Sequence, residues 1–258
     1  MLSVTAIPAF RDNYIWLIHD PEGNGVVVDP GDAAPVIAAL ERLGVTLHAI
    51  LITHHHPDHI GGIKELCERW PVPVYGPKRE QIRGLTVALD DGDQVNLPLP
   101  PIHLAVIAVP GHTLGQIAYY CEQPDAPLLF CGDSMFSAGC GRLFEGTPEQ
   151  MMASLDRLCA LPERTLVYCT HEYTESNLSF ARSILPNDPA LIRRQQQVAS
   201  LRSAGHPSLP STLAEELRSN LFLRCHEPAL QAALSKDSAE PKDRLSVFTA
   251  LRTKKDHF

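Results

Sequence analysis

The sequence predicts an α/β body of about 170 residues followed by a helical portion of about 85. Two observations carry that expectation. Strand-like and helix-like runs alternate through the first two-thirds of the 258-residue chain. Beyond about residue 173 only helix-like runs remain, broken by prolines at 186, 189, 207, 210, 228 and 241. A third observation places the chemistry. The apolar run Ala49 to Ile52 breaks abruptly into His54, His56, Asp58 and His59, potential metal ligands at a strand-to-helix junction.

Taken in order, Tyr14 to Ile18 and Gly25 to Asp29 are β-rich runs separated by the turn residues Asp20 to Asn24. Val36, Leu40 and Leu43 recur at helical spacing, and Gly44 ends that helix. Leu47 to Thr53 is the strand leading into the histidine block. Behind it Ile60, Ile63, Leu66, Cys67 and Trp70 share one helical face as far as Pro71. Val72 to Tyr75 is a short strand, and Asp91-Gly92 is a hairpin-type turn signal. Strands follow at His103 to Val109, Gln116 to Cys121, Leu128 to Cys131 and Thr165 to Thr170. Between the last two, Thr147-Pro148-Glu149-Gln150 opens a helix with a cap, a proline at the first helical position and a capping-box glutamine. The later helices are expected at Leu178 to Leu185, Leu191 to Leu201, Thr212 to Leu223 and Arg244 to Lys255. No internal repeat or low-complexity segment is present.

Composition narrows the function. The hydrophobic fraction of 44% and charged fraction of 20% are those of an ordinary globular protein. The formal charge, 22 − 30 = −8, argues against a nucleic-acid binder, which needs a basic surface to release counterions. No apolar run approaches the roughly 18 residues of a membrane span, and the opening residues to Asp20 lack the pattern of a secretory signal. The seven cysteines are widely spaced and include no C-x-x-C pair. They are expected to be free thiols of a cytoplasmic protein, with Cys131 and Cys140 as packing residues.

Three further candidate ligands share one structural address, the end of a strand. His112 lies in Pro110-Gly111-His112-Thr113, Asp133 in Cys131-Gly132-Asp133-Ser134, and His171 directly after Val167 to Thr170. Five imidazoles and two carboxylates exceed what one tetrahedral site uses, and suit two metals about 3.5–4 Å apart sharing a carboxylate. His54 and His56, two apart on an extended segment, can point to one side. Asp58 and His59 start the helix and can reach a second ion, and Asp133 is the natural bridge. Ligation by nitrogen and oxygen alone is compatible with zinc, iron or manganese and does not decide among them; zinc is the expected ion.

The block Thr53-His54-His55-His56-Pro57-Asp58-His59, with the later His, Asp and His, resembles the metallo-β-lactamase superfamily. Over nearly the whole chain the resemblance is closer to the glyoxalase II (hydroxyacylglutathione hydrolase) family. Asp12-Asn13-Tyr14-Ile15-Trp16, Gly111-His112-Thr113, Cys131-Gly132-Asp133, Gly139-Cys140-Gly141-Arg142 and Thr170-His171-Glu172-Tyr173-Thr174 all carry it, as do Pro210-Ser211-Thr212 and the Arg252…Lys255 ending. The resemblance implies an αββα sandwich of two mixed sheets in a catalytic domain at 1–172, and a helical substrate-recognition domain at 173–258. It implies that His54, His56 and His112 hold one ion, that Asp58, His59 and His171 hold the other, and that Asp133 bridges them.

The implied reaction is hydrolysis of an S-(2-hydroxyacyl)glutathione such as S-D-lactoylglutathione, the second step of methylglyoxal detoxification. Two cations lower the pKa of a water between them, so hydroxide is available near neutral pH to attack the thioester. Asp58 and Asp133 are the catalytic carboxylates. Arg252 and Lys255, three apart on one helical face, are implied to bind the glycine carboxylate of glutathione, with Arg142 and Tyr173 nearby. Taken alone, the two cations would read as a solvated basic terminus.

This chain departs from the family pattern at two places. Arg142 stands where many members have Lys, and Phe144 where some have Tyr. His55 lies inside the block without being a ligand in the pattern, and His19, His48, His103, His206, His226 and His257 are background. A monomer that meets neither nucleic acid nor membrane is expected. The competing readings are another hydrolase on the same sandwich, a persulfide dioxygenase using one iron, and a non-catalytic metal-binding protein.

Overall fold

The computed structural model describes residues 2–234 and 243–258; Pro241 lies outside them. Two compact units make up the chain, Met1–Val109 with Leu114–Gly132, and Pro110–Thr113 with Asp133–Phe258.

In the first unit β1 (Ser3–Ala9), β2 (Asn13–His19), β3 (Asn24–Val28), β4 (Thr46–Leu51), β5 (Val74–Pro77) and β6 (Val87–Leu89) form one mixed sheet in sequence order. The first three strands are antiparallel to one another, and β3 through β6 are parallel. The parallel crossovers run through α1 (Ala33–Leu43), α2 (Pro57–Ile60) and α3 (Ile63–Arg69). Ile15, Leu17, Val27, Ile50 and Ile52 pack with Val36 and Leu40 of α1 and Leu66 of α3. The residues alternating with them, such as Trp16, Ile18, Val26 and Leu51, are buried as well. A sheet covered on both faces explains why these strands are continuous apolar runs without alternation. Each fully buried Ile, Leu or Val contributes roughly 1.5–3 kcal/mol.

A second, antiparallel layer follows, with β7 (Gln94–Pro98), β8 (Pro101–Ala108), β9 (Ile117–Cys121) and β10 (Leu128–Gly132) side by side. The buried Tyr119 phenol of β9 donates to the Ile52 carbonyl at 2.9 Å and ties this layer to the end of β4.

The second unit holds β11 (Met135–Phe136) and β12 (Gly139–Cys140) as a small hairpin, then α4 (Pro148–Cys159), β13 (Leu166–Cys169), α5 (Thr174–Ile184), α6 (Pro189–Ser203), β14 (Ser211–Thr212), α7 (Leu213–Ser219), α8 (Pro228–Leu234) and α9 (Arg244–Asp256). β14 pairs antiparallel with β13. The capping box at Thr147 and Gln150 forms as expected, and such a cap contributes about 1 kcal/mol. Asp188 and Asp243 cap α6 and α9. Val247, Phe248 and Leu251 bury one face of α9, with Phe222 edge-on to Phe248.

The structure corrects three sequence expectations. The single helix expected behind the histidine block is two, interrupted at Gly61 and Gly62. A Cβ at Gly61 would lie 2.4 Å from the Gly31 carbonyl, and one at Gly62 2.6 Å from that of Pro30. The chain breaks there because the loop after β3 presses on its backbone. The turn at Asp91-Gly92 is real, with Gly92 at φ 84, but it joins β6 to β7, strands of different sheets, so it makes no hairpin. Its polar groups go instead to β8: the Gly92 amide donates to the Val106 carbonyl and the Ala108 amide to the Asp91 carboxylate. The helix expected over Thr212 to Leu223 stops at Ser219. Asn220 ends the helix in extended backbone, where its side-chain amide donates to the carbonyls of Phe136 and Gly139.

Among the described residues no helix is long and apolar enough to cross a membrane. All seven cysteines are free thiols. Burial pushes those of Cys159 and Cys225 up to about 12.

Candidate metal centre and adjoining pocket

In the first unit the chain leaves β4 still extended, and His56 keeps extended angles as the residue before α2. His54 and His56 therefore project alike, with His54 Nε2 3.1 Å from His56 Nδ1. Pro57 then begins α2, whose first turn carries Asp58 and His59. The His59 ring lies 4.0 Å from the His54 ring, centroid to centroid. His54 and His59 are fully buried.

Oxygen acceptors behind these rings fix how they point. Buried Asp29, just beyond β3, receives the Thr53 amide on Oδ1 and the Thr53 hydroxyl on Oδ2 at 2.7 Å each, and Oδ2 also lies 3.0 Å from His59 Nδ1. The Thr53 hydroxyl is 3.1 Å from His54 Nδ1. Asp58 accepts from the Asn13 amide at 3.0 Å. A Cβ at Gly31 would meet the Asp58 carbonyl at 1.8 Å, so the start of α2 is seated against the loop after β3. His55, by contrast, is engaged by Glu80 at 2.9 Å, in keeping with a role outside the ligand set.

The second unit supplies His112, Asp133 and His171, all buried. The loop Pro110–Thr113 lies on α4. Ser154 donates to the Pro110 carbonyl at 2.7 Å, and a Cβ at Gly111, whose φ is 152, would lie 2.8 Å from Met151. His112 Nδ1 is 2.8 Å from the Arg142 carbonyl, so Nδ1 carries the proton and Nε2 carries the lone pair. His171, at the end of β13, stacks on Tyr173 with 4.7 Å between ring centroids. His112 Nε2 and His171 Nε2 each lie 3.4 Å from the same Asp133 oxygen, Oδ2.

This donor set fits divalent cations. Imidazoles whose second nitrogen meets a carboxylate or carbonyl, at 3.0 Å in His59 and 2.8 Å in His112, have the second layer usual for ligating histidines. A buried carboxylate oxygen placed equally from two imidazole nitrogens suits a bridging ligand. No thiolate joins the donors, and burial raises the Cys140 thiol to about 11, so it stays protonated.

Within the second unit a cavity of about 370 Å³ has His112 and Asp133 among its lining and Arg142, Arg252 and Lys255 among its cations. Tyr173 lines it too. Phe144 is 62% exposed, its ring edge-on to His112 at 5.3 Å between centroids. Its phenyl ring offers the cavity an apolar edge where a tyrosine would offer a hydroxyl. The structure thus gathers the expected substrate-binding side chains around one cavity, but two of them are engaged. Asp256 bonds to both Arg142 and Arg252. Sequence reading missed Asp256 and Asp29, and gave no individual role to Thr53 and Asn13, which stand within its motifs. Asp29 was findable, since it ends the strand beside β4, the same address as the ligands.

A family model described as the metallo-beta-lactamase superfamily matches residues 9–171. Among solved structures the chain is similar to ETHE1 from Myxococcus xanthus, with TM-score 0.65 and 24% identity over 99% of this chain and 98% of that one. It is also similar to BLEG-1 B3 metallo-beta-lactamase, with TM-score 0.62 and 24% identity over 86% of this chain and 99% of that one. The fold is the α/β sandwich of that superfamily with a helical C-terminal part, and with its histidine and aspartate groups it points to divalent metal binding.

A second model, described as the hydroxyacylglutathione hydrolase C-terminus, matches residues 172–258. A hydroxyacylglutathione hydrolase of Yersinia pestis (strain Pestoides F) is 51% identical over 259 residues, covering all of both chains. One of Cupriavidus taiwanensis is 51% identical over 266 residues, again covering all of both. This chain belongs to the hydroxyacylglutathione hydrolase family.

Proposed function

We propose that this chain is a thioester hydrolase that converts an S-(2-hydroxyacyl)glutathione, such as S-D-lactoylglutathione, to glutathione and a 2-hydroxy acid. One observation carries the reading. One cavity has two candidate metal donors, His112 and Asp133, and three cationic side chains in its lining. A substrate with a reacting carbonyl at one end and carboxylates at the other matches that lining, and full-length relatives at about half identity bear the name of this activity.

His54, His56 and His112 would hold one ion and Asp58, His59 and His171 the other, with Asp133 shared between them; zinc is the expected ion, with iron and manganese as alternatives. When bound, two such ions make hydroxide available from water near neutral pH and polarise a carbonyl. The side chains do the rest. Asp58, steadied by Asn13, orients the attacking water. Arg142, Arg252 and Lys255 hold the glutathione carboxylate, Tyr173 walls the cavity, and the departing thiolate needs no proton donor. Residues 1–172 act as the catalytic domain and 173–258 as the substrate-recognition domain, in a cytoplasmic monomer that binds neither nucleic acid nor membrane.

The deciding assay offers the metal-loaded protein S-D-lactoylglutathione beside a β-lactam, a lactone, a phosphodiester and glutathione persulfide. Turnover of the thioester alone is expected, with two zinc ions per chain by elemental analysis. No thioester turnover by protein carrying two ions would sink the reading.

A further inference from the structure

Arg142, Arg252 and Lys255 face one cavity, and an acid is bonded to two of them. Arg252 donates to Asp256 Oδ1 through Nε at 3.1 Å and Nη2 at 2.8 Å. Arg142 donates to the same oxygen through Nε at 3.3 Å, and through Nη2 to the Asp256 carbonyl at 3.4 Å. We propose that Asp256 is a positioning residue that aims Arg142 and Arg252 as a fixed pair at a substrate carboxylate. The proposal rests on the glutathione-thioester reading for the identity of that carboxylate.

The two arginines depend on Asp256 unequally. Arg252 is nearly buried and has other anchors, the Cys140 carbonyl at 2.9 Å and the Phe222 ring at 5.2 Å. The Arg142 side chain is 55% exposed, and among the described residues its guanidinium bonds to Asp256 alone. A flexible, exposed guanidinium gives up rotamer freedom when it grips an anion, and a partner that fixes it beforehand removes that loss. Arg142 commits Nε and Nη2 to Asp256, which leaves its Nη1 uncommitted among the described residues. Lys255, one residue away, contributes an ammonium whose hydrogen bond goes to Ser176 at 3.3 Å.

Asp256 would have the opposite effect if it filled the place of the anion, since substrate would then have to displace it. The cavity lining speaks against this. Arg142, Arg252 and Lys255 border the cavity and Asp256 does not. It grips the arginines from outside the space that an anion would enter.

The test uses the full-length, metal-loaded protein and two probes, glutathione and its glycinamide, in which the glycine carboxylate is a neutral amide. Calorimetry on the wild type should give at least about tenfold preference for glutathione, the order expected of charge-assisted hydrogen bonds. In Asp256→Asn the Kd for glutathione should rise at least about fivefold while that for the glycinamide stays put, so the preference shrinks. Asp256→Glu, which keeps an acceptor, should recover part of it. In turnover, Asp256→Asn should raise KM and leave kcat within about twofold.

Equal or tighter glutathione binding by Asp256→Asn would make Asp256 a competing counter-ion and overturn the proposal. Equal weakening of both probes would reduce it to a structural contact, and no preference in the wild type would remove its basis. Should Asp256→Asn fail to fold, proton exchange in the wild type keeps the proposal falsifiable. Its Arg142 Nε–H resonance, identified by its loss in Arg142→Lys, should exchange slowly with water, and fast exchange overturns the proposal. A wild type that prefers glutathione yet hydrolyses no thioester would refute the proposed function and spare this inference.

Discussion

Asp29 holds three groups at once, the Thr53 amide, the Thr53 hydroxyl and His59 Nδ1, from a position where its own backbone adopts φ 51. A residue that accepts such a conformation while fully buried does so because its contacts over-determine it. Replacing it with alanine leaves the His59 ring unaimed and the Thr53 amide without its acceptor. Metal affinity in Asp29→Ala should fall roughly 10–100-fold, read by competition with a chromophoric chelator. Asp133→Ala should go further and lose metal and activity together; full activity with two ions retained would refute a bridging role. Lys255 gives a pH signature. Burial first, and then the neighbouring Arg252 charge, hold its ammonium pKa below the ordinary lysine value. Its charge is therefore present at low pH and lost as pH rises through that lowered value. KM for the thioester should climb on the alkaline side of neutrality, earlier than an ordinary lysine would cause. Lys255→Arg, which keeps its charge, should flatten the rise.

At the level of elements, the break between α2 and α3 fixes the block's geometry. Asp58 and His59 occupy a four-residue helix that is too short to stand by its own hydrogen bonds. It stands because the loop at Pro30 and Gly31 receives it at a distance that only glycine permits, and the Gly62 amide donates to the Pro30 carbonyl at 2.8 Å. Gly62→Ala should force these backbones apart, costing at least about 2 kcal/mol in denaturant unfolding and weakening metal binding as well. A substitution that kept full stability would mean the loop can yield. The hairpin of β11 and β12 is held in a comparable way. Glu216 accepts the amide of Ala138, at φ 58, and Asn177 donates to the Ser137 carbonyl. Burial raises the Glu216 carboxyl above its usual value. Strand ends and helix caps were readable in the sequence because they depend on neighbours along the chain. The split helix and the turn at Asp91-Gly92 were not, because each is decided by a segment far away in sequence.

For the molecule as a whole, the candidate ligands are divided between the two compact units, four in Met1–Val109 with Leu114–Gly132 and three in Pro110–Thr113 with Asp133–Phe258. Ions bound to such donors would stabilise the folded chain by linkage, about 2.7 kcal/mol when free metal exceeds Kd a hundredfold. Stripping the protein with a chelator should lower Tm and zinc should restore it; a Tm indifferent to chelation would mean that ions and fold are uncoupled. The sequence by itself determined the α/β body, the helical C-terminal part, the seven candidate donors and the cations at the far end. Each of these is written in local spacing, from alternating apolar runs to a His-x-His-x-Asp-His block. Only the tertiary structure decided what stands behind the donors and the cations. Asp29 reaches His59 across 30 residues, and Asp256 reaches Arg142 across 114, because packed strands and helices bring together groups that no sequence period connects.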